Sequence, residues 1–235
     1  YAAPPVREFD APDAPAFKVL KPGEHPPLDA YDNFVIGPEY ISAPETQVLE
    51  DVPKGKVQQF IIDSTETKIF NPGIARMKFG TVDPKNPKTL IVDTHEIDYK
   101  RQITVYIPPQ HKPGTKAPFM ISHDGPKGKP NMTLPRILDN LIAQKRIPPI
   151  VLIQIANGGG DAQGHQRGRE YDNMSGLFAE YIETEVLPRV EKACKLKLTK
   201  DPEGRAVMGS SSGGSASLIM AWFRTDLYRR VLTTS

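Results

Sequence analysis

A short serine- and glycine-rich stretch near position 210 carries the residues best suited to chemistry. Gly209, Ser210, Ser211, Ser212 and Gly213 follow the pattern Gly-Xaa-Ser-Xaa-Gly, with Ser211 in the central place. A serine held on a sharp strand-to-helix turn needs small neighbours two positions away, which both glycines provide. The helix that follows would point N–H groups at the serine oxygen, with the Ser212 N–H as first donor to an oxyanion. The pattern predicts a nucleophilic serine at position 211.

The same stretch has two unreactive interpretations. A turn of this composition can simply pack tightly, or it can bind phosphate at the start of the helix. A phosphate loop of the Walker type is disfavoured because no lysine follows the glycines. A buried-strand pattern, "RAVMG", precedes the turn and an apolar helix pattern, "SGGSASLIMAWF", follows it. This context favours the nucleophile.

A second oxyanion donor is expected at the end of another apolar run, "APFMISHDG". Pro126 has no N–H, so Gly125 or Asp124 is the predicted donor. Gly125 would also allow a substrate oxygen to approach the main chain closely. His123 is expected to support this turn. The alternative is an ordinary Asp-Gly turn without a binding role.

The loop "NGGGDAQGHQRGREYD" follows the next predicted strand and carries two candidate substrate-binding residues. Arg167 could bind an acidic or hydroxylated substrate, and His165 would lie at the carboxyl edge of the sheet, where ligands bind. A purely structural role is the favoured interpretation of each residue. Arg167 could pair with a nearby carboxylate and hold the loop, and His165 could be an ordinary surface histidine.

The elements that must position these residues change in character along the chain. Residues 1–55 are rich in proline and charge and are predicted to form an arm that lies extended or stays mobile. Period-two alternation and β-branched residues then predict antiparallel strands at one side of a sheet, at residues 56–62, 73–80, 89–99 and 101–108.

In the second half, short apolar runs alternate with helical patterns. One helix is predicted from about Ser175 to Cys194, kinked or split by Pro188. Alternation of strand and helix with short connections predicts an α/β domain over residues 56–235, with parallel strands and helices on both faces of the sheet.

Composition excludes several classes of function. The formal net charge is +2, from 30 basic and 28 acidic residues. Basic and acidic residues are interspersed along the chain and form no basic stripe, so nucleic acid is not an expected partner. The single cysteine, Cys194, excludes an internal disulfide and a multi-cysteine zinc site. No apolar run reaches membrane-spanning length. The first residue is Tyr1, from which a cleaved export signal, and so a secreted or periplasmic protein, is expected.

Three motifs carry a resemblance to a known family: "HDG" at 123–125, "GREYDNMSGLFAEYIETEVLPRVE" at 168–191 and "MGSSSGG" at 208–214. From about Gly55 to Ser235 the sequence resembles the esterase D-like branch of α/β-hydrolases, which includes enterochelin esterase, feruloyl esterase and acetylxylan esterase relatives. The resemblance implies hydrolysis of a small-molecule or carbohydrate-linked carboxylic ester through an acyl-serine. Ser211 matches the nucleophile and Ser212 the backbone donor, and no metal or organic cofactor is implied.

The family's usual chain order places an acid and then a histidine after the serine. Nothing follows Ser235, so we expect a C-terminally incomplete fragment that is poorly active alone. It would lack its last strands and leave a sheet edge open to self-association. His25, His95 and His111 lie in the arm and antiparallel region and are not candidates for the base. Two alternatives remain, a non-catalytic binding module and an acyltransferase that uses the same serine.

Overall fold

The computed structural model describes residues 18–21, 24, 27, 34–36, 43–77, 80–160 and 163–234. Its contacts divide the chain into two units, residues 1–44 and 45–235. In the first unit β1 (Lys18–Leu20) pairs in parallel with β2 (Phe34–Ile36). Most of the predicted arm before residue 43 lies outside the described residues.

The second unit contains a mixed sheet of six strands. In spatial order these are β14 (Arg230–Thr234), β13 (Arg205–Ser210), β10 (Phe119–His123), β11 (Val151–Ile155), β8 (Lys100–Ile107) and β3 (Lys56–Asp63). The pairs β3–β8 and β8–β11 are antiparallel, and the other three pairs are parallel. The predicted antiparallel start followed by parallel strands is confirmed.

Three further pairs of strands lie outside this sheet: β4 (Gly73–Arg76) with β7 (Thr94–Ile97), β5 (Thr81–Asp83) with β6 (Asn86–Ile91), and β9 (Lys116–Ala117) with β12 (Lys197–Leu198). The strands within residues 73–80 and 89–99 are antiparallel, as predicted, but they pair with each other or with neighbouring segments outside the main sheet rather than at its side. Val82, Ile91 and Ile97 are exposed, so these segments lack the buried face that the main sheet requires.

Helices cover both faces of the sheet, as predicted. They are α1 (Thr133–Ala143), α2 (Gln166–Tyr171), α3 (Leu177–Tyr181), α4 (Leu187–Cys194) and α5 (Ser212–Phe223), with 3-10 turns at Pro44–Thr46, Ser64–Glu66 and Pro202–Gly204. On one face Leu138 of α1 packs with Leu152 of β11. On the other face Phe178 and Met220 pack with Ile121 of β10. None of the helices within the described ranges is long and apolar enough to cross a membrane.

The predicted long helix is interrupted directly before Pro188 and then continues through it. A π-helical turn, Ile182–Val186, joins α3 to α4, and Leu187 N–H donates to the Ile182 carbonyl five residues back. Proline has no N–H to donate to the preceding turn, and the wider π turn directly before it lets the helix continue. The turn also directs the Glu185 carboxylate at the Lys68 and Ile69 N–H groups, at 2.9 and 2.7 Å.

Candidate active site

Ser211 lies at the turn between β13 and α5 in a backbone conformation that is rare for an L-residue. Its φ is 54° and its ψ is −131°, and such strained positions cost about 1–3 kcal/mol and occur preferentially at functional sites. The Ser211 N–H donates to the Thr234 carbonyl at the end of β14, at 2.9 Å. This hydrogen bond attaches the turn to the neighbouring strand β14. The Ser211 side chain is exposed.

The glycines around Ser211 are required because the chain approaches itself very closely. A Cβ atom on Gly209 would lie 2.3 Å from the Gly213 carbonyl oxygen, and one on Gly214 would lie 2.8 Å from the Thr234 oxygen. Both separations are shorter than any ordinary contact of a Cβ atom. The small residues that the sequence pattern singled out therefore permit this turn.

An open depression of about 350 Å³ lies beside Ser211, lined by Ser211, Gly214, Ser215, Leu218, Thr233 and Thr234. Ser212 is the first residue of α5, so its N–H belongs to the helical turn that has no partner within the helix. The positive end of the helix dipole faces the same region. The site thus combines an accessible hydroxyl with amides able to stabilise an anionic oxygen.

The two predicted second donors, Asp124 and Gly125, both have partners in this conformation. Gly125 N–H donates to the Ile155 carbonyl at 2.9 Å, and Asp124 N–H donates to the Tyr171 hydroxyl at 3.2 Å. The reason for glycine at position 125 also differs from the expectation. A Cβ atom there would lie 2.8 Å from the Gln154 carbonyl carbon, so the close approach is to β11 rather than to a substrate.

Arg167 points at Asp124 rather than into an open pocket. Its Nε and Nη2 atoms donate to Asp124 Oδ1 and Oδ2 at 2.9 and 2.7 Å. Asn157 Nδ2 donates to Asp124 Oδ1 at 2.7 Å. Burial alone would raise the pKa of Asp124, but the hydrogen bonds from Arg167 and Asn157 hold that pKa below its usual value. The geometry matches the loop-holding alternative that the sequence left open.

His123 is buried at the end of β10, where its ring packs against Tyr171 and Phe178 with centroid distances of 5.3 and 5.5 Å. Neither ring nitrogen has a hydrogen-bond partner among the described residues. Burial lowers the pKa of His123 to about 4. A neutral imidazole enclosed in this way packs beneath the Asp124 turn and is unsuited to take a proton from Ser211.

The other histidines in the described ranges lie on other elements. His165 Nδ1 accepts a hydrogen bond from Arg76 N–H of β4 at 3.4 Å, and its ring lies over Gly160. His95 lies on β7, and His111 follows β8, whose end is at the opposite edge of the sheet from Ser211. His25 lies outside the described residues. Across the described ranges no group of three or more His, Cys, Asp or Glu side chains is arranged to hold a metal ion.

Sequence reasoning missed a buried ion pair that anchors the loop after β11. Arg101 Nη1 and Nη2 donate to the Glu170 carboxylate at 3.0 and 2.5 Å, and both side chains are fully buried. Arg101 also donates to the Ala156 carbonyl at 2.7 Å and to the Tyr181 hydroxyl at 3.0 Å. One signal was available in the sequence, because Arg101 alternates with Ile103 and Val105 on the buried face of β8.

The strained serine turn at the carboxyl edge of a mixed sheet, with helices on both faces, defines an α/β-hydrolase type of protein. The Esterase family model matches residues 94–235. The chain therefore belongs to the Esterase family. No curated protein matches the chain.

Solved structures with esterase names are similar to part of this chain. A ferulic acid esterase has a TM-score of 0.50 at 20% identity, over 76% of this chain and 59% of that one. Enterochelin esterase from Shigella flexneri has a TM-score of 0.48 at 20% identity, over 57% and 32%. A feruloyl esterase module from Clostridium thermocellum has a TM-score of 0.45 at 16% identity, over 80% and 54%. The chain thus spans between 32% and 59% of these structures.

Proposed function

We propose that this chain supplies the nucleophile and the oxyanion-binding part of a serine carboxylesterase. One observation carries the proposal: Ser211 is exposed at φ 54° between β13 and α5, on a turn with no room for side chains at Gly209 and Gly214. A protein keeps such a strained residue where the strain serves a function. Membership of the Esterase family supports the reaction class.

In the proposed reaction the Ser211 Oγ attacks the carbonyl carbon of a carboxylic ester, and the carbonyl oxygen takes up the electron pair. The oxyanion is stabilised by the Ser212 N–H and the α5 dipole. Collapse of the intermediate breaks the bond to the alcohol oxygen, which leaves with the proton that Ser211 gave up. Water then releases the acid and restores the hydroxyl.

Asp124 is the better of the two predicted second donors. Its N–H bond to the Tyr171 hydroxyl is 3.2 Å long, whereas the Gly125 N–H bond to Ile155 is 2.9 Å and continues the contacts with β11. The longer and weaker bond is exchanged more readily for a bond to an oxyanion. We therefore assign the second donor to the Asp124 N–H.

The proposed reaction needs a base for the Ser211 proton and a carboxylate that orients this base. Of the described histidines, His123 is buried, His165 accepts a bond from Arg76, and His111 follows the end of β8 at the far edge of the sheet. His95 is exposed on β7. No hydrogen bond among the described residues joins any of them to Ser211, so the proposal assigns the base to a histidine outside the described residues. Its location on polypeptide that follows position 235 in a longer protein stays a prediction. A small-molecule or carbohydrate-linked ester as substrate and a secreted or periplasmic location also stay predictions.

A fluorophosphonate probe tests the proposal directly, because it phosphonylates only an activated serine. We expect stoichiometric labelling of the protein made from its full gene, with the added mass on the peptide that contains Ser211. Ser211→Ala should abolish both labelling and hydrolysis of p-nitrophenyl acetate. Ser210→Ala is the matched control, because Ser210 is an exposed serine that precedes the turn.

Each outcome distinguishes one alternative. A folded protein that neither reacts with the probe nor hydrolyses esters would overturn the proposal in favour of a binding module. Labelling of Ser211 together with transfer of the acyl group to an added alcohol, in preference to water, would identify an acyltransferase.

A further inference from the structure

A carboxylate lies directly beside the proposed oxyanion donors. Asp124 follows β10 in a left-handed conformation with φ 53°. Its Oδ2 atom lies 3.0 Å from the position that a Cβ atom on Gly213 would occupy, against the first turn of α5. An anion at this place would oppose the build-up of negative charge on a substrate oxygen bound by the Ser212 N–H.

Asp124 is held in its charged form and is paired at both oxygens. Arg167 donates to each of the two carboxylate oxygens, and Asn157 adds a third bond to Oδ1. The Asn157 amide oxygen accepts from Lys127 Nζ at 2.8 Å, which orients its nitrogen toward Asp124. A bidentate arginine neutralises a carboxylate more fully than a single contact does.

The guanidinium group of Arg167 is itself fixed in place. It lies 5.0 Å from the centre of the Tyr171 ring, and the Arg167 side chain is 11% exposed. The Arg167 N–H donates to the Gly159 carbonyl at 2.9 Å. To grip a substrate, Arg167 would first have to leave both oxygens of Asp124, which would expose the carboxylate to the reacting group.

We propose that Arg167 is a positioning residue that acts through Asp124: it neutralises the carboxylate beside the oxyanion site and holds the left-handed turn that presents the Asp124 N–H. Asn157 shares this task from the end of β11. The inference rests on the proposed function and replaces the expectation that Arg167 binds the substrate.

Single variants of Arg167 and a double variant with Asp124 test the role of Arg167 in the full-length protein. Arg167→Gln removes the cation that neutralises the Asp124 carboxylate, so kcat for p-nitrophenyl acetate and the rate of Ser211 phosphonylation should fall about 10-fold or more, with little change in KM. The double variant Asp124→Asn/Arg167→Gln has no carboxylate charge at position 124. Most of the loss in kcat and in the rate of phosphonylation should therefore be recovered. Arg167→Lys keeps the positive charge and should lie between wild type and Arg167→Gln.

The matched control is Arg169→Gln. Arg169 lies on the same helix, but it donates to the Pro72 carbonyl and not to Asp124. We expect its rate constants to stay within about 2-fold of wild type, because a surface substitution of this kind perturbs little. Thermal unfolding midpoints of all variants separate loss of fold from loss of rate.

The result that would overturn the inference is a double variant no faster than Arg167→Gln. A rise in KM confined to acidic substrates, such as a mono-p-nitrophenyl ester of a dicarboxylic acid, would also overturn it and restore substrate binding to Arg167. Absence of labelling in the wild-type protein would instead contradict the proposed function. The two failures are therefore distinguishable.

Discussion

The Gly213 carbonyl group lies so close to Gly209 that a Cβ atom on Gly209 would come within 2.3 Å of its oxygen. The contact is between main-chain atoms, which cannot rotate away, so the substitution Gly209→Ala must push the turn apart. We expect a loss of about 1–3 kcal/mol in the free energy of unfolding. Phosphonylation of Ser211 should slow as well, because the displaced turn no longer presents the hydroxyl.

The control for Gly209→Ala is Gly176→Ala. An added Cβ atom there would lie 3.4 Å from Arg224 Cγ, which is an ordinary contact with a flexible side chain. Urea denaturation should place this variant within about 0.5 kcal/mol of wild type. Equal effects of the two substitutions would contradict the geometry of the turn.

His123 makes stability depend on pH. Its pKa falls from an ordinary value of 6.5 to about 4 on folding, because burial disfavours the charged ring. As pH falls below 6.5, His123 becomes protonated in the unfolded chain but stays neutral in the folded protein. The free energy of unfolding therefore decreases until the pH reaches about 4, where His123 of the folded protein is also protonated. Between pH 7 and pH 5 this loss amounts to about 2 kcal/mol.

Substitution His123→Leu removes this titration and should flatten the pH dependence of the unfolding free energy by about the same amount. The charged groups that act on His123 are Asp124, Arg101 and Arg167, and Asp124 keeps its charge over this range because its pKa is lowered. His95→Gln is the control, since His95 is exposed on β7. The prediction fails if both variants keep the wild-type slope.

Removal of one partner from the buried ion pair of Arg101 and Glu170 should greatly lower the free energy of unfolding. Arg101→Met leaves the Glu170 carboxylate fully buried without its cation, which costs about 3–5 kcal/mol. The double variant Arg101→Met/Glu170→Leu has no buried charge, so urea denaturation should show it to be more stable than Arg101→Met.

Glu203→Gln is the control for this pair. Glu203 pairs with Arg229 and Arg230 at 3.3 and 3.2 Å, and all three side chains are at least half exposed. Such surface pairs contribute about 0–1 kcal/mol. A single Arg101→Met variant as stable as Glu203→Gln would show that the buried pair does not hold the loop after β11.

Local patterns predicted the main elements well because each is encoded by its own residues. The strand before Ser211, the helix after it and the close packing at Gly209 all follow from a short stretch. Long-range pairs could not be predicted in this way. Arg101 and Glu170 are 69 positions apart, and Arg167 and Asp124 are 43 apart, so no local spacing indicates either contact.

Two expectations differ in detail from the structure, for physical reasons. Apolar and polar residues alternate in 73–80 and 89–99 as they do in sheet strands. This alternation cannot distinguish a strand of the main sheet from a strand of an exposed two-stranded pair. Gly125 was expected to accommodate a substrate, whereas it accommodates the main chain of β11. A glycine in the sequence indicates that some group approaches the main chain closely, but the sequence does not tell which group this is.

The strand β14 predicts association of two copies of the chain. All five of its residues are exposed, and within the described part of the chain its only sheet neighbour is β13. Antiparallel pairing of two copies centred on Leu232 would place Arg230 opposite Thr234 and bring no like charges together. We expect residues 1–235, expressed without further sequence, to form a concentration-dependent dimer in sedimentation experiments. Leu232→Lys should yield a monomer, since an edge lysine opposes pairing, whereas Ile91→Lys, an equally exposed position on β6, should still dimerise. A wild-type protein that stays monomeric at about 100 μM, well above the dissociation constant of a stable dimer, would contradict the prediction.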